Sequence, residues 1–153
     1  MLSIQIYDGK QANEIADLFY SAVHHISPEI YNKKQQDAWA PPPDYEFWKA
    51  RLEQKQPFVA LINNRVAGFI ELDADGHIDC AYTHPDFQRQ GVASQLYQYL
   101  LEQAYEQKLN RLYVEASLVA KPFFEKQGFT TVQQNKVNRN GEILINFSME
   151  KWI

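Results

Sequence analysis

The chain has 153 residues, a net charge of −4 and one cysteine, Cys80. This length predicts a single domain, residues 1–153, that is large enough for a hydrophobic core. An acidic chain without a long basic run is not expected to bind nucleic acid, and one cysteine forms no internal disulfide. The first residues lack the pattern of a signal peptide, and no window has the ~20 apolar residues of a membrane helix. We therefore expect a cytoplasmic protein that does not contact membranes.

The first third of the chain predicts a strand followed by helices. Apolar residues alternate over residues 2–7, which is typical of a strand. Asn13 is expected to cap a first helix. Pro28, a residue suited to a first helical turn, is expected to begin a second helical segment that ends near Trp39. Asp44 then predicts the cap of a short third helix.

The rest of the chain predicts mainly strands. They are expected over residues 58–62, 66–72, 77–83, 111–116, 130–137 and 143–149. Turn residues at 63–65 and 138–141 predict two hairpins, whose strands are antiparallel. A wide apolar stripe over residues 92–107 predicts a helix lying on the sheet, and the connection through it predicts a parallel strand pair.

Together these elements predict an α/β (α+β) fold, with a mixed, mostly antiparallel sheet and helices on both faces. The last strand, near residues 143–149, is expected to be exposed, so that it can pair across a homodimer.

The most informative segment lies between residues 83 and 94, where a strand pattern passes into the long helix pattern. Gly91 stands at the opening turn of this helix, where backbone N–H groups have no partner within the helix. These groups and the helix dipole favour an anion, usually a phosphate, and Arg89 adds a positive charge. No lysine follows Gly91, and three spaced glycines are absent, so neither the Walker pattern nor the dinucleotide fingerprint applies.

Two patterns together point to a family. Residues 88–93, Gln-Arg-Gln-Gly-Val-Ala, resemble the Gln/Arg-x-x-Gly-x-Gly/Ala pyrophosphate loop of the GCN5-related N-acetyltransferases, the GNAT superfamily. A second strand pattern follows about one crossover unit downstream. It leads into Ser117, Ala120, the pair Phe123-Phe124 and then Glu-x-x-Gly-Phe. This order resembles the second half of the same signature. The chain is most similar in pattern to small bacterial members of the family whose substrate is undefined.

The resemblance implies acetyl-CoA as the acetyl donor. The two parallel strands are expected to splay apart, with the pantetheine arm in the gap. The residues expected to contact acetyl-CoA are Tyr82, Thr83, Gln88, Arg89, Gln90, Gly91, Val92, Ala93, Ser94, Ser117, Ala120, Phe123 and Phe124. No metal is expected, because the adjacent His24 and His25 point in different directions on a helix.

Three residues are candidates for the general base that acetyl transfer to an amine requires. His77, Asp79 and Ala81 alternate along one strand, so they are expected to share one face. Asp79 ranks first, His77 second, and Glu71 on the neighbouring strand third. Water is the alternative to all three.

The acid that protonates the leaving thiolate is not evident. The family's usual tyrosine is Phe124 here, which has no proton to donate. The thiolate either leaves unassisted or receives a proton from another group, for which Tyr82, Tyr113 and Tyr97 are the candidates.

Nine rings between residues 19 and 48 predict an aromatic cleft for the acceptor; they are Phe19, Tyr20, His24, His25, Tyr31, Trp39, Tyr45, Phe47 and Trp48. We expect an amine of a small molecule or peptide with an apolar or aromatic body. Two alternatives remain open: a non-catalytic module that binds acyl-CoA, and O-acetylation of a hydroxyl or hydroxylamine acceptor.

Overall fold

A computed structural model describes residues 1–153, which form one seven-stranded sheet in the order β1-β2-β3-β4-β5-β7-β6. The strands are β1 (Leu2–Ile6), β2 (Phe58–Ile62), β3 (Arg65–Leu72), β4 (His77–Thr83), β5 (Arg111–Ser117), β6 (Thr130–Arg139) and β7 (Glu142–Trp152). The helices are α1 (Ala12–His24), α2 (Lys33–Trp39), α3 (Tyr45–Lys55), α4 (Val92–Glu106) and α5 (Lys121–Lys126). Each of them is too short or too polar to cross a membrane.

The sheet is antiparallel except for one pair, β4 and β5, as the sequence predicts. This parallel ladder is short, with only His77 opposite Tyr113 and Ile78 opposite Val114. Beyond these pairs the two strands diverge, which leaves a gap in the middle of the sheet.

Helices cover both faces of the sheet. On one face, Leu96 and Leu100 of α4 pack into the larger apolar core. On the other face, Ile15 and Leu18 of α1 and Leu52 of α3 form a second core. Burial on both sides fixes the strands around the gap.

The beginnings of two helices differ from those predicted. Helix α1 begins at Ala12, so Asn13 lies in its first turn and caps nothing. Pro28 lies in a turn, and α2 begins at Lys33. Asn32 supplies the signal that Pro28 cannot, because its side chain accepts a hydrogen bond from the backbone N–H of Gln35 in a reciprocal capping box.

The cap of the third helix is as predicted. Asp44 accepts a hydrogen bond from the backbone N–H of Phe47 at 3.1 Å. The proline triplet at residues 41–43 lies between α2 and α3. Trp39 of α2 and Trp48 of α3 both lie beside the gap.

The predicted exposure of the last strand is wrong. Strand β7 lies between β5 and β6, and its backbone pairs with both neighbours. The long hairpin folds back so that β6 forms one edge of the sheet, and β1 forms the opposite edge. Residues 143–149 are therefore not free to pair with a second copy.

Gly76 fixes the closed end of the gap. It lies in the turn before β4 with φ +95°, and a Cβ atom there would lie 2.1 Å from the carbonyl oxygen of Arg111. The backbone N–H of Tyr113 donates to the carbonyl of Gly76 at 3.1 Å. Only glycine allows the turn to approach β5 this closely.

Candidate active site

The gap between β4 and β5 joins two cavities. The first, here called the loop cavity, has a volume of about 590 Å³ and is bordered by Gln88 and Arg89. The second, the aromatic cavity, has a volume of about 440 Å³ and lies on the α3 side of the sheet. Trp39, Tyr82 and Ser117 line both cavities and mark their junction.

A bulge in the β3–β4 ladder changes which side chains face the aromatic cavity. The register shifts between Ile70, paired with Ala81, and Leu72, paired with Ile78. As a result Ala81 packs on the core under α4, while Asp79 lines the aromatic cavity. The predicted common face of His77, Asp79 and Ala81 is therefore wrong for Ala81, because an extra residue interrupts the alternation.

Most of the residues predicted to contact acetyl-CoA border the loop cavity. They are Tyr82, Thr83, Gln88, Arg89, Ala93, Ser117, Ala120, Phe123 and Phe124. The other four do not line it: Val92, the first residue of α4, is buried, whereas Gln90, Gly91 and Ser94 are exposed at the beginning of that helix.

The beginning of α4 has the features of an anion site. Gly91 is the N-cap residue with φ +78°, and no side chain caps the first N–H groups of the helix. Arg89, two residues earlier, is also in the left-handed region with φ +61°. The uncapped N–H groups and the positive end of the helix dipole favour a phosphate.

Five of the nine predicted rings line the aromatic cavity: Phe19, Tyr31, Trp39, Phe47 and Trp48. The other four have different surroundings. Tyr20 and His24 stack on each other, His25 borders the loop cavity, and the hydroxyl of Tyr45 donates to Asp17 at the surface.

Two hydrogen bonds of Tyr31 hold the end of β5 in place. Its hydroxyl donates to the carbonyl of Ile145 at 2.6 Å and accepts from the N–H of Leu118 at 2.9 Å. Since the β5–β7 ladder ends at Ser117, this side chain extends the connection by one residue. It thereby positions Ser117 at the junction of the cavities.

Asp79 is held by two cations of α3. Its Oδ2 accepts hydrogen bonds from Lys55 at 2.7 Å and from Arg51 at 3.0 Å. Burial works to raise the pKa of Asp79, but Lys55 and Arg51 outweigh it, so the pKa lies below its ordinary value. Asp79 is therefore a stable anion in the wall of the aromatic cavity.

Glu71 lies behind Arg51, away from both cavities. Its side chain is 0% exposed, and its Oε1 accepts from Arg51 at 2.7 Å. Burial raises the pKa of Glu71 in spite of this ion pair. Glu71 therefore lines neither cavity.

His77 lies at the closed end of the gap, stacked on Tyr113. Its Nε2 is 2.8 Å from Oε1 of Glu115, and its Nδ1 is 3.4 Å from Oδ2 of Asp73. His77 does not line either cavity itself, but Glu115 lines the aromatic cavity. The structure thus connects His77 to the cavity through Glu115.

Sequence reasoning missed Glu115, Arg51 and Lys55. Arg51 and Lys55 are four residues apart on α3, a spacing that places both on one helix face. Glu115 shares its face of β5 with Ser117, two residues later. These spacings can be read from the sequence. The residues of β4 that Arg51, Lys55 and Glu115 contact cannot, because they depend on how the strands pair.

Only one of the three candidate tyrosines reaches the cavities. Tyr82 lies at their junction, and burial raises its pKa above the ordinary value. Tyr97 is fully buried without a partner for its hydroxyl, and the hydroxyl of Tyr113 donates to Asp75.

Two acidic clusters have the spacing of metal ligands, but each already contains a cation of the protein. In Asp73, His77 and Asp79, the ammonium of Lys55 bonds to both aspartates. In Glu71, Asp79 and Cys80, the guanidinium of Arg51 contacts all three. Two side-chain cations thus offset part of the negative charge of the three carboxylates in these clusters.

Comparison with known proteins agrees with this geometry. Residues 28–151 match the family model of the acetyltransferase (GNAT) domain. The chain is 36% identical over 148 residues to YafP, an uncharacterised N-acetyltransferase of Escherichia coli K12, covering 97% of this chain and 94% of that protein.

Solved structures extend the likeness to the fold. A GCN5-related N-acetyltransferase from Rhodopseudomonas palustris superposes with a TM-score of 0.93 at 32% identity, covering 99% of this chain and 95% of that one. The putative acetyltransferase yncA from Salmonella typhimurium, solved with acetyl-CoA, gives a TM-score of 0.75 at 17% identity, covering 99% and 93%.

The fold, the gap and these matches define an acyltransferase. The chain belongs to the GNAT family of acetyltransferases.

Proposed function

We propose that this protein transfers the acetyl group of acetyl-CoA to an amine of a small molecule or peptide, by direct attack of the amine on the thioester. The observation that carries this proposal is the meeting of two cavities at Trp39, Tyr82 and Ser117. Two substrates that enter from opposite sides of the sheet would come together at this junction.

The loop cavity suits acetyl-CoA. The uncapped beginning of α4 and Arg89 offer N–H groups and positive charge to the pyrophosphate. Past Ile78, the edge of β4 that faces β5 has no strand partner. The backbone of Tyr82 and Thr83 can therefore pair with the pantetheine amides like an added strand.

The aromatic cavity suits a cationic acceptor with an apolar body. Trp39, Phe47 and Trp48 provide apolar and aromatic surface, and Asp79 and Glu115 face the cavity from opposite strands. Asp79 is already paired with Lys55 and Arg51, and Arg51 and Arg139 also line this cavity. Glu115, which has no lysine or arginine partner, is left to attract an ammonium group and gives an amine an advantage over a neutral hydroxyl acceptor.

Tyr82 and Ser117 both carry hydroxyl groups at the junction, and the Ser117 hydroxyl already accepts a hydrogen bond from the backbone N–H of Ala120 at 3.0 Å. Phe124 lines the loop cavity but offers no proton, whereas Tyr82 lies at the junction. A thiol with an ordinary pKa near ~8.5 leaves readily as a thiolate. Tyr82 therefore serves as a hydrogen-bond donor in the gap, and a strong acid is not required.

The experiment is an amine panel with acetyl-CoA, in which release of the CoA thiol is followed by a colorimetric reagent. We expect thiol release that depends on an added aromatic or aliphatic amine, with the acetylated amine identified by mass spectrometry. Alcohols and hydroxylamines of the same body are tested in parallel. Preferential acetylation of a hydroxyl would replace the proposal by O-acetylation, and thiol release independent of every acceptor would contradict it.

A further inference from the structure

We infer that Glu115 takes the proton from the acceptor ammonium, and that His77 positions Glu115 through a hydrogen bond. This inference rests on the proposed N-acetyltransferase function. It assigns a catalytic role to a residue on β5, opposite the strand that carries Asp79.

The location of Glu115 is the first argument. The β4–β5 ladder ends at the pair Ile78 and Val114, so Asp79 and Glu115 are the first residues beyond it. Both line the aromatic cavity at the point where the gap opens. Ser117, two residues further along β5 on the same face, lies at the junction with the loop cavity.

The competing carboxylates are the second argument. Asp79 must give up contacts with both Lys55 and Arg51 to bind a proton on Oδ2. Glu71 is fully buried and paired with Arg51. Glu115 has no lysine or arginine partner, its side chain is 44% exposed, and its only ionic neighbour is His77.

The surroundings of His77 are the third argument. An ionised carboxylate only accepts hydrogen bonds, so the 2.8 Å contact with Oε1 of Glu115 requires Nε2 of His77 to carry the proton and donate it. This bond fixes one carboxylate oxygen of Glu115. The other oxygen is free to take a proton from the acceptor.

The other groups around His77 leave this role intact. Tyr113 stacks on the ring, and Asp75 accepts a hydrogen bond from the backbone N–H of His77. Lys55 of α3 reaches the ring only through Asp73, whose carboxylate it contacts.

The proton balance of the step is simple. An N–H bond of the ammonium breaks, and an O–H bond forms on Glu115. The lone pair left on the amine nitrogen is free to attack the thioester carbonyl. Glu115, whose side chain is 44% exposed, then releases the proton to solvent and is again a carboxylate.

The test uses Glu115→Gln, which keeps the shape but cannot take the proton. With an alkylamine from the panel, we expect kcat/KM at neutral pH to fall about 10²–10⁴-fold. With an alkoxyamine of the same body, which is mostly unprotonated at neutral pH, the variant should retain nearly the wild-type rate. Acetyl-CoA should still raise its melting temperature, and Glu106→Gln at the end of α4 is the matched control.

His77→Gln tests the positioning role. Glutamine can donate a hydrogen bond to Glu115 in place of Nε2–H, whereas alanine in His77→Ala cannot. We expect His77→Ala to lower kcat for the alkylamine with little change in its KM, and His77→Gln to restore most of that loss. A defect of equal size on alkylamine and alkoxyamine would mean a structural role and overturn the inference.

An independent readout needs no turnover. Nitrogen NMR of the imidazoles, assigned with His77→Gln, shows which ring nitrogen of His77 carries the proton in the protein alone. We expect the proton on Nε2, the nitrogen that contacts Glu115. An Nε2 without a proton, or full alkylamine activity in Glu115→Gln, would contradict the inference while leaving the acetyltransferase proposal standing. If the wild type acetylates no amine, the proposed function fails, and this inference fails with it.

Discussion

Phe124 combines a buried position with a place in the wall of a cavity. Its side chain is 1% exposed, and its ring packs edge-on against Phe129 with centroids 5.1 Å apart. It also lines the loop cavity. A hydroxyl added to this ring therefore tests whether the ring points towards the thioester or only into the core.

We expect Phe124→Tyr to raise kcat at neutral pH, by less than the ~10²-fold that general acid catalysis can supply. The new phenol can donate a proton to the departing thiolate, and the affinity for acetyl-CoA should change little. Phe129→Tyr, in the same aromatic cluster but outside the cavity, is the control. Loss of acetyl-CoA binding together with a destabilisation of about 1–3 kcal/mol would place the hydroxyl in the core without a partner.

Gly91 tests the anion site. In Gly91→Glu, a carboxylate and extra bulk occupy the position next to the uncapped N–H groups of α4. Saturating acetyl-CoA, at 100 times its Kd, should stabilise the wild type by about 2.7 kcal/mol and this variant hardly at all.

The control for Gly91→Glu is Gly9→Glu. Gly9 has a similar φ of +91° and open space around it, so this change introduces the same backbone strain and charge at another site. Differential scanning fluorimetry with and without acetyl-CoA compares the two. An acetyl-CoA shift of wild-type size in a folded Gly91→Glu protein would refute the assignment of this loop.

At the scale of elements, the closed end of the gap depends on one close approach. Gly76→Ala would place a Cβ atom 2.1 Å from the carbonyl oxygen of Arg111, so the turn or β5 must move. We expect a loss of about 2–4 kcal/mol in the free energy of unfolding, measured with urea.

Gly141→Ala separates strain from crowding. Gly141 has a φ of +87° but no atom within 4 Å of its missing Cβ, so alanine there adds only backbone strain. Its cost should be about 1 kcal/mol. Equal losses in the two variants would show that contact with β5 contributes nothing.

Which features the sequence predicts depends on how local their physical cause is. The strand alternation and the cap at Asp44 come from neighbours in sequence, and both are present in the structure. The bulge beside Asp79 is a feature of pairing between two strands, which periodicity within one strand does not reveal. The contact of His77 with Glu115 likewise depends on the β4–β5 register across 38 residues of chain. The sequence-based ranking of general bases therefore omitted Glu115, because its place beside β4 follows from strand pairing and not from local sequence.

At the scale of the whole molecule, the charge network of α3 links stability to pH. Burial opposes ionisation of Asp79, but Lys55 and Arg51 hold its folded-state pKa below the unfolded value. Its stabilising contribution is therefore complete above the unfolded pKa, near ~3.9, and is lost as the pH falls through the lower folded pKa. Glu71 acts in the opposite sense, because burial raises its folded pKa, and its contribution is lost as the pH rises through that value.

Asp79→Asn should isolate the first of these effects. We expect the variant to be less stable than the wild type at pH 7 by on the order of 1 kcal/mol, since the side chain is 32% exposed and its ion pairs are partly screened. The difference should shrink as the pH is lowered from 4 towards 2. Urea midpoints measured across this range provide the check, and a difference that stays constant with pH would rule out the carboxylate charge as its source.

The junction formed by Trp39, Tyr82 and Ser117 has a thermodynamic consequence. Because these three side chains belong to the walls of both cavities, a ligand in either one alters the surface that the second ligand meets. We therefore expect the two binding equilibria to be coupled. Any such coupling is reciprocal: the factor by which a CoA compound changes the Kd of the acceptor equals the factor by which the acceptor changes the Kd of that compound. Calorimetric titrations with desulfo-CoA, which cannot transfer an acetyl group, measure both factors. If each ligand increases the affinity for the other, the two substrates bind cooperatively. The enzyme would then bind acetyl-CoA most tightly when the acceptor is present.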